Sequence, residues 1–323
     1  MKEGYRDNAI DIIKAVCIVF MVVGHAGMGL PYLKFIYFFH MPVFFLVSGY
    51  VYNSKYSENF VLFVEFCKKK IKRLWFPWFI ATSIFIVLNN FFIYINVYSI
   101  NPLLLEMGTG ELNYLTEYLS VGEVVVEVVR AITFNSKTQL GGALWFLKIL
   151  FFLTILYAFI ELIIKTILTK RKSRYFQEKT LLIQGIISIL FCLIGYRFFW
   201  YVGVNNDTQL MVSSYYFLYY LGVLFKKYHE RIDEIHGIIK FFVWLFSLAI
   251  LVCFTVDNNI LKFNLVGREY GNPLILLVAS ISGFLFLYYP SKLVSFFSNI
   301  SKPIVYIGKN TMPILILHFF VLR

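Results

Sequence analysis

Residues 6–52 read RDNAIDIIKAVCIVFMVVGHAGMGLPYLKFIYFFHMPVFFLVSGYVY. This stretch contains two apolar runs, and each run carries a histidine at membrane depth, His25 in the first and His40 in the second. Ionisable side chains are costly in lipid and usually mark a functional site where they occur. The stretch therefore predicts two membrane helices with a candidate functional residue in each.

The first of these helices has a polar face. In a helix that begins at Ile10, Asp11, Lys14 and His25 lie at about 0°, 300° and 320° around the axis, at roughly 100° per residue. Lys14 and His25 are about three turns apart, or roughly 16 Å at 1.5 Å per residue, so they cannot touch. They can bind opposite ends of one long ligand, with Asp11 positioning Lys14. A purely structural ion pair between Asp11 and Lys14 is the alternative.

Composition indicates an integral membrane protein. Hydrophobic residues make up 59% of the 323, and charged residues only 15%; the mean hydropathy is +0.73. A soluble core does not require so much apolar sequence. The chain is therefore predicted to be an all-α, polytopic helical bundle forming a single domain over 1–323. Its nine apolar stretches near the roughly 20 residues that cross a bilayer are 10–30, 35–52, 74–97, 143–164, 180–200, 208–225, 238–256, 273–289 and 311 onward.

The basic residues predict the orientation, because Lys and Arg are retained on the cytoplasmic side. With the N-terminus inside, 21 of the 30 Lys and Arg residues fall in inner segments and five in outer ones. This asymmetry predicts an integral protein of the plasma membrane with a cytoplasmic N-terminus. Since the net charge of +12 is divided among short loops, nucleic-acid binding is not expected.

The longest outer connection, 98–142, contains the apolar-patterned segment LSVGEVVVEVVRAITF. It predicts an amphipathic or re-entrant helix at the outer surface. This helix would act either as a structural cap or as a lid that binds an acceptor substrate. The four cysteines have neither metal-ligand spacing nor a disulfide pattern, and we expect no metal site.

Several motifs together resemble membrane-bound acyltransferase family 3. The family's first helix carries a basic residue, ten intervening positions and a histidine, the spacing of Lys14 and His25. The segment HMPVFFLVSGY at 40–50 is similar to its second-helix signature, especially in the fucose O-acetylase branch. The resemblance continues over the whole chain, through KKKIKRLWFPWF at 68–79, LWFLKILFF at 144–152 and IGKNTMPILILHFF at 307–320.

The resemblance implies a fold of ten helices, so we expect a tenth helix beyond the last visible one. It also implies transfer of an acyl group, by default acetyl, from cytoplasmic acetyl-CoA to a hydroxyl of a carbohydrate. The expected acceptors are capsule, lipopolysaccharide, exopolysaccharide or another surface glycan, which can be lipid-linked. Acyl-CoA is a donor substrate, and no permanently bound cofactor is expected.

His25 is the strongest candidate for the chemistry. A neutral imidazole can take a proton from a hydroxyl near physiological pH, and the hydroxyl then attacks the thioester. An acyl-histidine intermediate is an alternative mechanism. His40, near the outer start of the second span, is predicted to orient the acceptor or stabilise an oxyanion. A histidine satisfied by a structural hydrogen bond remains the simpler interpretation of either residue taken alone.

Four further residues belong to the predicted site. Lys70 and Arg73 occupy the family's paired basic motif and are expected to bind the phosphates of CoA, although Lys70 replaces the usual Arg and lacks its bidentate fork. A topology anchor would show the same charges. Trp145 is expected at the outer interface, as an anchor or as a surface for stacking a sugar ring. His318 lies midway through the last span, where the resemblance implies a pocket residue.

Two other classes of function stay open. Intramembrane histidines with an acid also occur in polysaccharide or proton-coupled transporters, and broken helices in paired, symmetry-related positions would favour that class. A noncatalytic sensor or scaffold with the same fold is the third class. The combination of Lys14, His25, His40 and Arg73 favours the enzyme.

Overall fold

The computed structural model describes residues 7–26, 32–100, 115–170, 176–202, 208–256 and 273–322. Within these ranges the protein is helical, with no β-strand. We number its α-helices in chain order: α1 Asn8–His25, α2 Tyr32–Tyr37, α3 His40–Tyr50, α4 Phe60–Lys70, α5 Phe76–Val87, α6 Asn89–Tyr94, α7 Val121–Ile132, α8 Trp145–Lys170, α9 Phe176–Val202, α10 Thr208–Glu234, α11 Gly237–Val256, α12 Pro273–Phe296, α13 Ser298–Lys309 and α14 Thr311–Leu322.

Five of these segments are long and apolar enough to cross a membrane, or six if α13 and α14 form one broken span. The five are Asn8–His25, Gln139–Thr169, Phe176–Gly195, Gly237–Val256 and Leu274–Phe296. The predicted helical membrane architecture is confirmed, whereas the count of nine spans is not. The predicted span 74–97 consists of two helices, because α5 ends at Val87 and α6 begins at Asn89.

The chain forms two compact units, and the first comprises residues 1–52 and 215–314. In it, α1 packs against α3, α12 and α13. Asp7 caps the start of α1, since its Oδ1 accepts a hydrogen bond from the backbone N–H of Ala9 at 3.0 Å. Close packing of α13 depends on Gly308, where a Cβ would lie 1.8 Å from the backbone oxygen of Asp11.

Helix α3 is held against the part of α10 in the same unit by two glycines. A Cβ at Gly49 would lie 1.9 Å from the backbone oxygen of Tyr219, and one at Gly222 would lie 1.8 Å from that of Leu46. Small residues at such positions allow two membrane helices to approach closely. Gly49 and Gly222 therefore set how closely α3 and α10 pack.

The second unit comprises residues 53–214 and 315–323. Here α4 continues through a π-helical turn, Ile71–Trp75, into α5, and a 3₁₀ helix, Gln139–Leu144, leads into α8. Helix α8 packs against α4, the π-helical turn and α9. These contacts place the basic residues at 68–73 beside the long α8 helix.

Helix α7 lies in the segment for which an amphipathic helix was predicted. A capping box between Ser120 and Glu123 starts it. Its apolar stripe, Val121, Val125, Val129 and Ile132, is exposed. The acid Glu127 is buried instead, where it pairs with Arg130 at 2.6 Å and accepts a hydrogen bond from Ser136 at 2.9 Å. An apolar face turned outward and a polar one turned inward suit a helix in contact with lipid.

Candidate active site

Asp11 and Lys14 form an ion pair on the first turns of α1. The distance from Lys14 Nζ to Asp11 Oδ1 is 2.6 Å, and the side chains are 21% and 2% exposed respectively. Residues three apart face each other on a helix, so the sequence spacing alone permits this pair. The buried carboxylate fixes the ammonium group while leaving part of it accessible to a ligand.

His25 is the last residue of α1 and is half-buried. It is a basic residue in the last turn of the helix. The ten residues between Lys14 and His25 are all within α1, so the distance of about 16 Å along the axis holds.

His40 is the first residue of α3 and is buried. Its Nδ1 lies 2.8 Å from the backbone oxygen of Ile36. Since a carbonyl oxygen can only accept, Nδ1 carries the proton and donates it. In the neutral imidazole, Nε2 is then a hydrogen-bond acceptor.

Tyr37 links the helix ends that carry the two histidines. Its hydroxyl donates a hydrogen bond to the backbone oxygen of Gly24, the neighbour of His25, at 2.8 Å. Its ring meets the ring of His40 edge to face, with 5.5 Å between centroids. Tyr37 is not among the site residues predicted from the sequence. The sequence feature that could have indicated it is a tyrosine three residues before a membrane histidine.

Lys70 and Arg73 lie where α4 passes into the π-helical turn. Lys70 Nζ lies 5.0 Å from the centre of the Phe66 ring, and Arg73 is exposed. The pKa of Lys70 is lowered to about 8 by two causes: burial, which contributes most, and the nearby charge of Arg73. π-Helical turns are uncommon and frequently occur at functional sites. This turn is therefore consistent with a functional role for Lys70 and Arg73.

The remaining two predicted residues also lie in the second unit. Trp145 begins α8 and meets Phe146 edge to face at 6.3 Å. His318 in α14 is buried, and its Nδ1 donates to the backbone oxygen of Leu315 at 2.9 Å. Of the predicted residues, the structure joins Asp11 with Lys14 directly. It connects the helix ends of His25 and His40 through Tyr37.

The structure also contains two polar clusters that the sequence analysis did not anticipate. In the first unit, Lys292 Nζ lies 3.1 Å from Asp7 Oδ2 and 3.0 Å from Asp233 Oδ2, while Tyr288 donates to Asp233 Oδ1 at 2.9 Å. In the second unit, buried Lys165 pairs with Glu161 at 3.1 Å, and both contact Ser54. Glu161 and Lys165 are four residues apart on one helix, as are Tyr288 and Lys292. Their partners Ser54, Asp7 and Asp233 lie far away in sequence, so no spacing pattern indicates how either cluster is completed.

The ranges that the structure describes contain no group of three His, Cys, Asp or Glu side chains that could hold a metal ion.

Comparison with known proteins identifies the class of chain. A family model described as an acyltransferase domain, that of acyltransferase family 3, matches residues 7–323. No curated protein and no solved structure matches the chain significantly. The match includes every candidate residue discussed above.

Proposed function

Because the chain belongs to acyltransferase family 3, we propose that it is a membrane O-acetyltransferase that moves the acetyl group of cytoplasmic acetyl-CoA to a hydroxyl of a cell-surface carbohydrate. Capsule, lipopolysaccharide and exopolysaccharide are the acceptors this proposal includes. The strongest support is the link between the helix ends of His25 and His40 through Tyr37. A base and an acceptor-orienting group are thereby held on one structural support.

In the proposed reaction, His25 takes the proton of the acceptor hydroxyl as its oxygen attacks the thioester carbonyl. The carbon–sulfur bond breaks, the oxygen–acetyl bond forms, and the CoA thiolate leaves with the proton that His25 then releases. His40 Nδ1–H donates a hydrogen bond to the backbone oxygen of Ile36. In the neutral imidazole, Nε2 can therefore only accept a hydrogen bond. We therefore assign His40 to orienting the acceptor hydroxyl rather than to stabilising an oxyanion.

The donor is proposed to contact three basic residues. Arg73 suits a phosphate group because its guanidinium donates two parallel hydrogen bonds, and Lys70 adds a point charge beside it. In the first unit, Lys14, held by Asp11, is likewise suited to an anionic or polar group. Trp145 and His318 are proposed to line the pockets for the acceptor and the acyl group.

The proposal includes nine membrane spans and a cytoplasmic N-terminus in the inner membrane of a bacterium. Two features support this orientation. The basic residues are concentrated in segments on one side, as cytoplasmic loops require. The donor, acetyl-CoA, is then on the same side as Lys70 and Arg73.

The proposal is tested by transfer of radiolabelled acetyl from acetyl-CoA to membrane glycans. The wild type is compared with His25→Ala and with His236→Ala, which removes an exposed histidine outside the proposed site. Removing a general base costs roughly 10²- to 10⁴-fold in rate, so we expect His25→Ala to lose nearly all labelling and His236→Ala to keep it.

Two results would contradict this assignment. Equal labelling by His25→Ala and the wild type at matched abundance would exclude His25 as the base. An absence of labelling by all three, with glycan still exported, would favour the alternative function as a polysaccharide or proton-coupled transporter.

A further inference from the structure

A cavity of about 520 Å³ lies in the second unit, where α6 ends and the chain returns before α7. Its polar lining comes from Asn96, Tyr98, Ser99 and Tyr118, and Ile93, Val97 and Ile100 complete it. The volume is within the range of roughly 300–1,000 Å³ that is usual for small-molecule sites. None of the residues that define the proposed chemistry lines this cavity.

One wall of the cavity is fixed by the buried side chain of Gln139. Its Oε1 accepts from the backbone N–H of Ser99 at 3.0 Å, and its Nε2 donates to the backbone oxygens of Ser99 at 2.8 Å and Leu115 at 2.9 Å. A single amide therefore joins the segment after α6 to the segment before α7. Gln139 also begins the 3₁₀ helix that ends next to Trp145.

The segment that carries Tyr118 is fixed by two asparagines of α6. Asn90 exchanges two hydrogen bonds with the backbone of Leu119, both of 2.7 Å, and Asn89 donates to the backbone oxygen of Glu117 at 2.9 Å. These bonds hold Tyr118 between two anchored residues. Such side-chain bonds to the backbone make the cavity preformed, which lowers the entropic cost of binding a ligand.

The lining is suited to a sugar. Tyr118 is 60% exposed, so its ring presents an open apolar face on which the C–H groups of a pyranose can lie. Asn96 provides an amide with two donors and an acceptor, which matches vicinal hydroxyls. Tyr98 is buried and held by the Phe92 ring at 5.1 Å, with its own ring at the cavity.

We propose that this cavity binds a carbohydrate, namely a sugar unit of the acceptor. Its part in acetyl transfer rests on the function proposed above, whereas the binding of sugar can be tested separately. The cavity lies between the predicted third and fourth spans, on the side assigned to the outer surface.

The test measures binding of methyl α-glycosides of glucose, galactose, mannose, fucose and rhamnose by saturation-transfer NMR. The full chain is held in nanodiscs of phosphatidylethanolamine and phosphatidylglycerol, because maltoside detergents would compete. Tyr118→Ala removes the ring, and Asn96→Gly removes the amide at a residue with φ of 61°, where glycine introduces no strain. Tyr94→Ala is the matched control, since Tyr94 is 78% exposed on α6 and lies outside the cavity.

We expect the wild type to bind at least one glycoside, with affinity reduced roughly 2- to 12-fold in Tyr118→Ala, reduced in Asn96→Gly and unchanged in Tyr94→Ala. Equal binding by all four proteins, or no binding by the wild type, would overturn the assignment.

Acetyl-CoA binding is measured on the same samples. Loss of glycoside binding with acetyl-CoA binding intact supports the cavity and excludes unfolding of the variants. Failure of the wild type to bind acetyl-CoA counts against the proposed function, and leaves the test of the cavity intact.

Discussion

Tyr37 and Lys70 show how single residues acquire their properties from neighbours. Tyr37 makes a hydrogen bond to the residue before His25 and a ring contact with His40, so it joins two histidines on different helices. Lys70 is an ordinary basic residue in the sequence, but burial lowers its pKa to about 8, with a further contribution from Arg73. A change in pH near neutrality therefore changes its charge.

This pKa predicts a pH dependence of donor binding. Lys70 is charged below about pH 8 and neutral above it, so affinity for acetyl-CoA is expected to fall roughly 2- to 5-fold between pH 7 and pH 9. In Lys70→Arg the charge persists at both values, and the fall should disappear. Equilibrium dialysis with labelled acetyl-CoA at pH 7, 8 and 9 measures the effect.

Lys69→Arg is the control for this measurement. Lys69 is adjacent in sequence but pairs with Glu65 at 2.7 Å, and that hydrogen bond raises its pKa. It is charged throughout the range, so the variant should retain the pH dependence of the wild type. An unchanged profile in Lys70→Arg would show that another group titrates.

Helix packing in the first unit depends on glycines at close contacts. The backbone of α13 reaches that of α1 at Gly308, and α3 reaches α10 at Gly49 and Gly222. In the second unit, the π-helical turn 71–75 carries Arg73 at the junction of α4 and α5. Thus, in each unit, the geometry around the basic residue proposed to bind the donor is set by how helices meet, as well as by the residues they carry.

The contact at Gly308 predicts a specific defect. In Gly308→Ala, the added Cβ would lie 1.8 Å from the backbone oxygen of Asp11, so α13 must move away from α1. We expect a loss of about 1–3 kcal/mol or more in unfolding free energy, together with reduced acetyl transfer because Asp11 holds Lys14. Thermal unfolding in nanodiscs measures the stability.

Gly122→Ala provides the comparison. Gly122 also lies in a helix, but a Cβ there would meet no atom within 4 Å. The same substitution is expected to be neutral or to stabilise by up to about 1 kcal/mol. If both variants lost stability equally, the helix contact at Gly308 would not be the cause.

The molecule as a whole exposes apolar side chains along its long helices. On α11, for example, Ile238, Phe241, Phe242 and Phe246 are all exposed. In water such a surface would be unfavourable, whereas hydrocarbon around the helices accommodates it. Five or six candidate spans and the family match together make this a membrane acyltransferase.

The proposed orientation predicts which loops are accessible from outside the cell. In a variant whose four cysteines are replaced, Glu117→Cys should react with a membrane-impermeant maleimide on intact cells, and Glu58→Cys should react only after permeabilisation. Both glutamates are exposed, so side-chain burial does not bias the comparison. Labelling of position 58 but not 117 on intact cells would reverse the orientation.

Much of the architecture could be predicted from the sequence because its causes are local. Apolar runs and helix periodicity predicted helices in a membrane, the i,i+3 spacing of Asp11 and Lys14 predicted their pairing, and the motifs at 14–25 and 40–50 indicated the family. Local patterns were insufficient where a helix breaks, as at Leu88. There the length of continuous helix depends on packing as well as on hydropathy.

Only the tertiary structure decided how residues distant in sequence meet. It determined the tautomer of His40, the link through Tyr37, the lowered pKa of Lys70 and the cavity beside Tyr118. Gln139, for example, binds backbone atoms of residues 40 and 24 positions earlier in the chain. Hydrogen bonds and burial depend on which groups approach in three dimensions, and hydropathy and residue spacing carry no information about those long-range partners.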